Sequence, residues 1–124
     1  TDQVSAFWDF LPTFAEIVGA KIESKIDGIS FVTTLKGESS QKQHECLYWE
    51  FVELGGRQAI RKGDWKAVRL NVKKDRNAPI ELYNLKDDPS ESRNVATSNP
   101  ELVKEMAKLF ESTHVPNPVF KLYE

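Results

Sequence analysis

Near the start of the chain, Trp8, Leu11, Phe14, Ala15, Ile17 and Val18 recur at spacings of three and four and fall on one stripe of a helix. Asp9 as a side-chain cap, Pro12 close to the first turn and Gly19 as a stop place this helix at roughly 9 to 18. Ala20 to Ile26 reads as a polar connector anchored by its two isoleucines. Asp27-Gly28 reads as a turn pair, and Ile29 to Leu35 as one short helical turn. Lys36 to Glu45 has a glycine, two serines and four charges without periodicity, which predicts an exposed loop.

From Cys46 the pattern becomes that of a sheet. Cys46 to Phe51 is aromatic-rich and bounded by polar residues, so it predicts a strand. Gly55-Gly56 permits a turn, and Arg57–Arg61 and Trp65–Leu70 flank Lys62-Gly63-Asp64 as a hairpin. On the second hairpin strand Trp65, Ala67 and Arg69 share one face, while Lys66, Val68 and Leu70 share the other. Neither face is purely polar, so both need partial cover. Asn71 to Asn77 is a basic loop, and Pro79 leads into a fourth strand over Ile80–Leu85, ended by Asp87-Asp88-Pro89-Ser90. Ser98-Asn99-Pro100-Glu101 offers a side-chain cap, a first-turn proline and an early carboxylate for a helix running to about Ser112. Leu102, Val103, Met106, Leu109 and Phe110 form its apolar stripe, expected to lie on sheet residues such as Ile60, Val68 and Leu82. Pro116 and Pro118 stop the helix and leave 119–124 as a tail in need of a packing partner. The fold class is therefore α+β: a small antiparallel sheet of about four strands packed by a C-terminal helix, with an additional N-terminal helix.

The 124 residues suffice for one domain. Seventeen Lys and Arg against nineteen Asp and Glu give a formal charge of -2, which disfavours a nucleic-acid partner. At 40% hydrophobic and 29% charged the chain should fold. No apolar run approaches the roughly 18 to 20 residues of a membrane span. The chain starts without Met, and Val4-Ser5-Ala6-Phe7 reads like mid-protein sequence, so a piece of a longer protein is expected.

Chemistry-bearing residues are few. Cys46 is the only thiol; His44 two residues upstream would sit about 6.5 to 7 Å away at Cα on a strand, too far for an ideal nucleophile–base pair. Buried free cysteine as a small hydrophobe is the simpler reading. His44 and His114 lack any metal-ligand spacing, so a surface or supporting role is expected for each. Glu50 lies between Trp49 and Phe51, where a carboxylate must reach water, a partner or a ligand, unless it simply points outward. Arg57, Arg61, Lys66 and Arg69 make a basic hairpin able to attract an anion or to serve as a solvated face.

Several stretches in order are similar to the C-terminal part of type I sulfatases: Asp9-Phe10-Leu11-Pro12-Thr13, Asp27-Gly28-Ile29-Ser30-Phe31, Leu47-Tyr48-Trp49-Glu50-Phe51 and Gln58-Ala59-Ile60-Arg61-Lys62-Gly63-Asp64-Trp65-Lys66. The stretch from Leu82 to Ala96 resembles the segment that closes the family's small sheet, ahead of a final helix like Asn99 to Val103. The resemblance implies a sulfate-ester hydrolase of the alkaline-phosphatase-like superfamily. Residues 1–45 would then be a linking segment, with a helix, from the end of the catalytic domain, and 46–124 the C-terminal subdomain. It implies formylglycine and calcium for the intact parent, neither supplied by this chain. Cys46-Leu47-Tyr48-Trp49-Glu50 does not fit the Cys/Ser-x-Pro-x-Arg nucleophile motif, and the calcium-ligand motifs have no counterpart. No catalytic or metal-binding residue is assigned here, and the chain alone is expected to be inactive.

Where relatives often carry proline, this chain has Glu23 and Thr33, and Val52 follows the Trp-Glu-Phe run where they carry histidine. Glu50 and His44 are the substrate-binding candidates, at the rim of a pocket facing the larger domain. The resemblance further implies the parent's catalytic domain and a sulfated carbohydrate as partners, and a periplasmic or secreted location. Apolar groups left at a domain junction, Phe7, Trp8, Phe10 and 120–123, are expected to be exposed and to favour self-association. Two other readings stay open at this level: a stand-alone non-catalytic interaction module and a hydrolase using Cys46.

Overall fold

The computed structural model describes residues 1–123. Glu124, the last residue of the expected tail, lies outside the described residues. The chain forms two compact units, Thr1–Glu45 and Cys46–Glu124.

In the first unit a 3-10 turn, Phe7–Asp9, runs into helix α1, Phe10–Val18, and a short helix α2 covers Val32–Leu35. Gly19 ends α1 in the left-handed region with φ +69°, its N–H returning to the last turn. Asp9 does not cap α1 through its side chain, as the sequence suggests. Its carboxylate instead accepts from the backbone N–H of Ala6 at 2.7 Å and of Ile29 at 2.9 Å. Thr13 extends this link: its hydroxyl donates to the Asp9 carbonyl at 2.6 Å and accepts from the Phe31 N–H at 3.0 Å. Such contact requires close approach of the 28–31 strip, and Gly28 provides it. A Cβ there would stand 2.2 Å from the Trp8 carbonyl oxygen. The α1 stripe forms, but Leu11, Phe14, Ile17 and Val18 are all exposed. Phe7 is 87% exposed, and Phe10 touches Phe31 edge-on at 5.4 Å.

The second unit is an antiparallel meander in the order β1-β2-β3-β4: Leu47–Phe51, Arg57–Lys62, Trp65–Leu70 and Ile80–Asn84. Helix α3, Pro100–Thr113, packs on one face. Pairing of Tyr48 with Ile60, Ile60 with Ala67 and Ala67 with Leu82 aligns one row of side chains across the sheet. Ile60, Ala67 and Leu82 meet Met106 and Phe110 of α3 in a core whose five members are all 0% exposed. Val68 is not in that core, contrary to the expectation. It pairs with Ala59 and Glu81 in the next row, so its side chain points to the opposite face. Gly56, buried with φ +76°, makes the β1–β2 turn, and Val72 donates to its carbonyl at 3.1 Å.

Two polar residues explain the stretch after β4. Asp88 accepts from Ser92 N–H, Ser92 hydroxyl and Arg93 N–H, closing a tight loop. Asn94 Oδ1 accepts from Leu82 N–H at 3.1 Å and Ala96 N–H at 3.0 Å, and Val95 N–H donates to the Leu82 carbonyl. The outer edge of β4 is thereby paired. Asn99 precedes α3 without a side-chain cap; its amide donates to the Val95 carbonyl at 2.9 Å instead.

Candidate functional site

The two sequence candidates each join a histidine–carboxylate pair inside their own unit. His44 meets Asp9 Oδ1 through Nε2 at 2.8 Å, with both side chains largely shielded. The same carboxylate therefore ties the start of α1 to residue 29 and to residue 44. Burial works against its charge, but the Ala6 and Ile29 amides and His44 outweigh that and hold Asp9 below the usual carboxylate range. Gln41 fixes the rest of the loop, donating to the Ser30 carbonyl at 2.8 Å and accepting from Thr34 N–H at 3.1 Å.

Glu50 lies on the α3 face of the sheet, where its Oε1 receives both the Tyr48 hydroxyl and His114 Nδ1. Gln58, 1% exposed, donates to the Tyr48 oxygen at 2.7 Å. Burial, and then the hydrogen bond to the Glu50 carboxylate, push the Tyr48 phenol far above its ordinary value. Tyr48 is thus a fixed donor rather than a base. A carboxylate on Nδ1 fixes the His114 tautomer and leaves Nε2 as its open edge.

Beside this chain lies a second group. Arg69, 4% exposed, donates to the Arg76 carbonyl at 3.1 Å, lies over the Phe110 ring and reaches Glu111 at 3.5 Å. Arg76 donates to Glu111 at 2.6 Å and stacks on Tyr123, whose ring meets His114 edge-on. The Arg76 hydrogen bond holds Glu111 below the usual carboxylate range against the effect of burial, with Arg69 adding to it. Gln58 Oε1 and Arg69 Nε are buried without a hydrogen-bond partner.

Two shallow clefts open at this end of the unit. One, of about 550 Å³, is lined by Glu50, Phe51, Val52, Val115, Asn117 and Phe120. The other, of about 500 Å³, is lined by Arg76, His114, Asn117, Lys121 and Tyr123, with Pro116, Pro118 and Leu122. The basic hairpin does not form one patch. Arg69 is buried on the α3 face, while Arg57, Arg61 and Lys66 project to the other, with Lys66 held by Glu91 at 2.6 Å. Cys46 is half-buried against the core cluster. Sequence spacing singles out neither Asp9 nor His114 as a partner, because their contacts span 35 and 64 residues. Among the described residues no group of three or more His, Cys, Asp or Glu is arranged to hold a metal. Cys46, outside the sulfatase nucleophile motif, offers no formylglycine position. The donor set does not fit either group.

The small meander with a helix on one face, preceded by a separate helical unit, is the C-terminal architecture of alkaline-phosphatase-like sulfatases. Residues 1–115 match the family described as N-sulphoglucosamine sulphohydrolase, C-terminal, and the chain belongs to that family. It is 31% identical to a Delta 4,5-hexuronate-2-O-sulfatase of Bacteroides thetaiotaomicron over 106 residues, covering 81% of this chain and 21% of that protein. It is 27% identical to arylsulfatase K of Danio rerio over 110 residues, covering 84% of this chain and 21% of that one. A solved 2-O GAG sulfatase superposes with a TM-score of 0.71 at 25% identity, covering 84% of this chain and 23% of its own. The chain thus spans about a fifth of the length of the curated relatives it matches.

Proposed function

We propose that this chain is the non-catalytic C-terminal part of a sulfatase that hydrolyses sulfate esters of sulfated glycans. The observation that carries the reading is the family match over residues 1–115, with relatives that are themselves sulfatases. The chain's own chemistry agrees with a supporting role. Asp9 and Glu111 spend both carboxylate oxygens, and Glu50 its Oε1, on groups of the same unit, which makes them fasteners rather than bases. In this reading formylglycine and calcium belong to a catalytic domain that precedes residue 1, and residues 1–45 are a linking segment, with a helix, from the end of that domain. The exposed apolar face of α1 packs on it, since burying such a stripe gains about 25 cal/mol per Å². Glu50 stands at the rim of the substrate pocket, supported by its place in the 550 Å³ cleft. His44 is the other substrate-contact candidate, within the first unit, where it fastens loop 36–45 to Asp9. No described helix is long and apolar enough to cross a membrane, and a periplasmic or secreted location suits a polymeric substrate.

The test uses the full-length parent. Peptide mass spectrometry should find a formylglycine upstream of this segment, and the protein should release sulfate from a sulfated disaccharide in a calcium-dependent manner. A full-length protein with unmodified Cys or Ser and no sulfate release would overturn the reading.

A further inference from the structure

The tail after α3 turns back on its own unit. Asn117 Oδ1 accepts from the Val119 N–H at 2.8 Å and the Phe120 N–H at 3.0 Å, and Leu122 is 1% exposed. This fold-back, rather than α3 or the sheet alone, builds the 500 Å³ cleft. Its volume lies within the roughly 300 to 1,000 Å³ typical of small-molecule sites.

Tyr123 is held between two partners. The Arg76 guanidinium lies 4.7 Å from the ring centroid, and the His114 ring meets it edge-on at 5.0 Å. Arg76 has spent one edge on Glu111, and a guanidinium keeps further donors beyond that bond. His114 has spent Nδ1 on Glu50, which leaves Nε2. The Lys121 ammonium has no ion-pair partner among the described residues. Arg69 and Arg76 share the Glu111 carboxylate, while Glu50 Oε1 is committed to Tyr48 and His114. Among the described residues the cleft is lined by two cationic side chains, Arg76 and Lys121, and no carboxylate, beside two proline rings and an aromatic one. A bare anion would use only the first set of groups, and a neutral sugar only the second.

We propose that this cleft binds one sulfated saccharide unit, with its ring against Pro118 and Tyr123 and its sulfate at Arg76 and Lys121. The inference rests on the sulfated-glycan reading above and adds to it a subsite built wholly from residues of this chain.

Calorimetric titration and amide chemical-shift mapping of the 124-residue chain test it, with three probes: a 6-O-sulfated chondroitin disaccharide, its unsulfated counterpart and sodium sulfate. The sulfated disaccharide should bind and move the amide signals of Asn117 to Tyr123, and should bind more tightly than either other probe. Lys121→Ala, at an exposed position, should weaken binding about fivefold to tenfold, as loss of one charge-assisted contact predicts. Arg57→Ala, on the opposite face of the sheet, should leave it unchanged. Equal affinity for the unsulfated disaccharide or for sodium sulfate would overturn the proposal, as would an unaltered affinity in Lys121→Ala. The two levels separate cleanly. A parent that releases sulfate while the chain ignores the disaccharide sinks this subsite alone, whereas a parent without turnover sinks the reading beneath it.

Discussion

Asp9 and Glu50 show how a single carboxylate can act as a tertiary fastener. Asp9 accepts two backbone amides and a histidine, so removing it strands donors in a shielded site. Asp9→Ala should cost the first unit about 1 to 3 kcal/mol, the range for orphaned buried donors. Its pH dependence has a definite sign. Because the folded carboxyl titrates below its ordinary value of 3.8, its contribution is present above about pH 4 and fades as pH falls through the lowered value. Near-ultraviolet circular dichroism between pH 5 and pH 2 should show the native protein losing structure that an Asp9→Asn variant has already lost; identical acid transitions would contradict this. Neither fastener is legible in sequence. Local rules read Asp9 as a helix cap because the competing donors, Ile29 and His44, are distant in the chain. Glu50 carries a visible oddity, a carboxylate among aromatics, but nothing in the spacing names His114 as the answer.

Elements were far more readable than contacts. Alternation and glycine placement locate all four strands, and the three-and-four spacing of Leu102 to Phe110 locates α3, because these signals are local and periodic. The error over Val68 is one of register. Ile60 pairs with Ala67, and a shift of one residue moves a side chain to the other face. The α3 stripe permits a direct test: Met106→Asp should destabilise the second unit by about 3 to 5 kcal/mol, the cost of an unpaired charge in a closed core. A change under about half a kcal/mol in denaturant titration would mean that Met106 faces solvent. Gly28→Ala should perturb the first unit for a different reason, since its Cβ meets backbone rather than a movable side chain. Loss of shift dispersion at Trp8 and Ile29, with the second unit unchanged, is the expected outcome.

At the scale of the molecule, apolar groups are distributed for contact. Phe7, Phe10, Leu11, Phe14, Ile17 and Val18 are exposed on the first unit, and Val115, Val119 and Phe120 on the second. The expectation of exposed tail residues holds for Phe120 but fails for Leu122, which is buried; Trp8 and Tyr123 are half-buried. Such patches favour association at high concentration. Sedimentation velocity should show concentration-dependent dimerisation that Phe7→Ser with Phe14→Ser reduces, and a strict monomer would argue against the docking role given to α1. In the proposed function the chemistry of sulfate release lies outside these 124 residues. Attraction of a sulfate by basic side chains stabilises substrate and transition state alike and does not by itself accelerate cleavage. The most direct measurement is turnover of an aryl sulfate by the purified chain and by the full-length parent. Hydrolysis by the parent and background rates for the chain are expected; turnover by the chain that is abolished in Cys46→Ala would place the nucleophile within these 124 residues and overturn the proposed function.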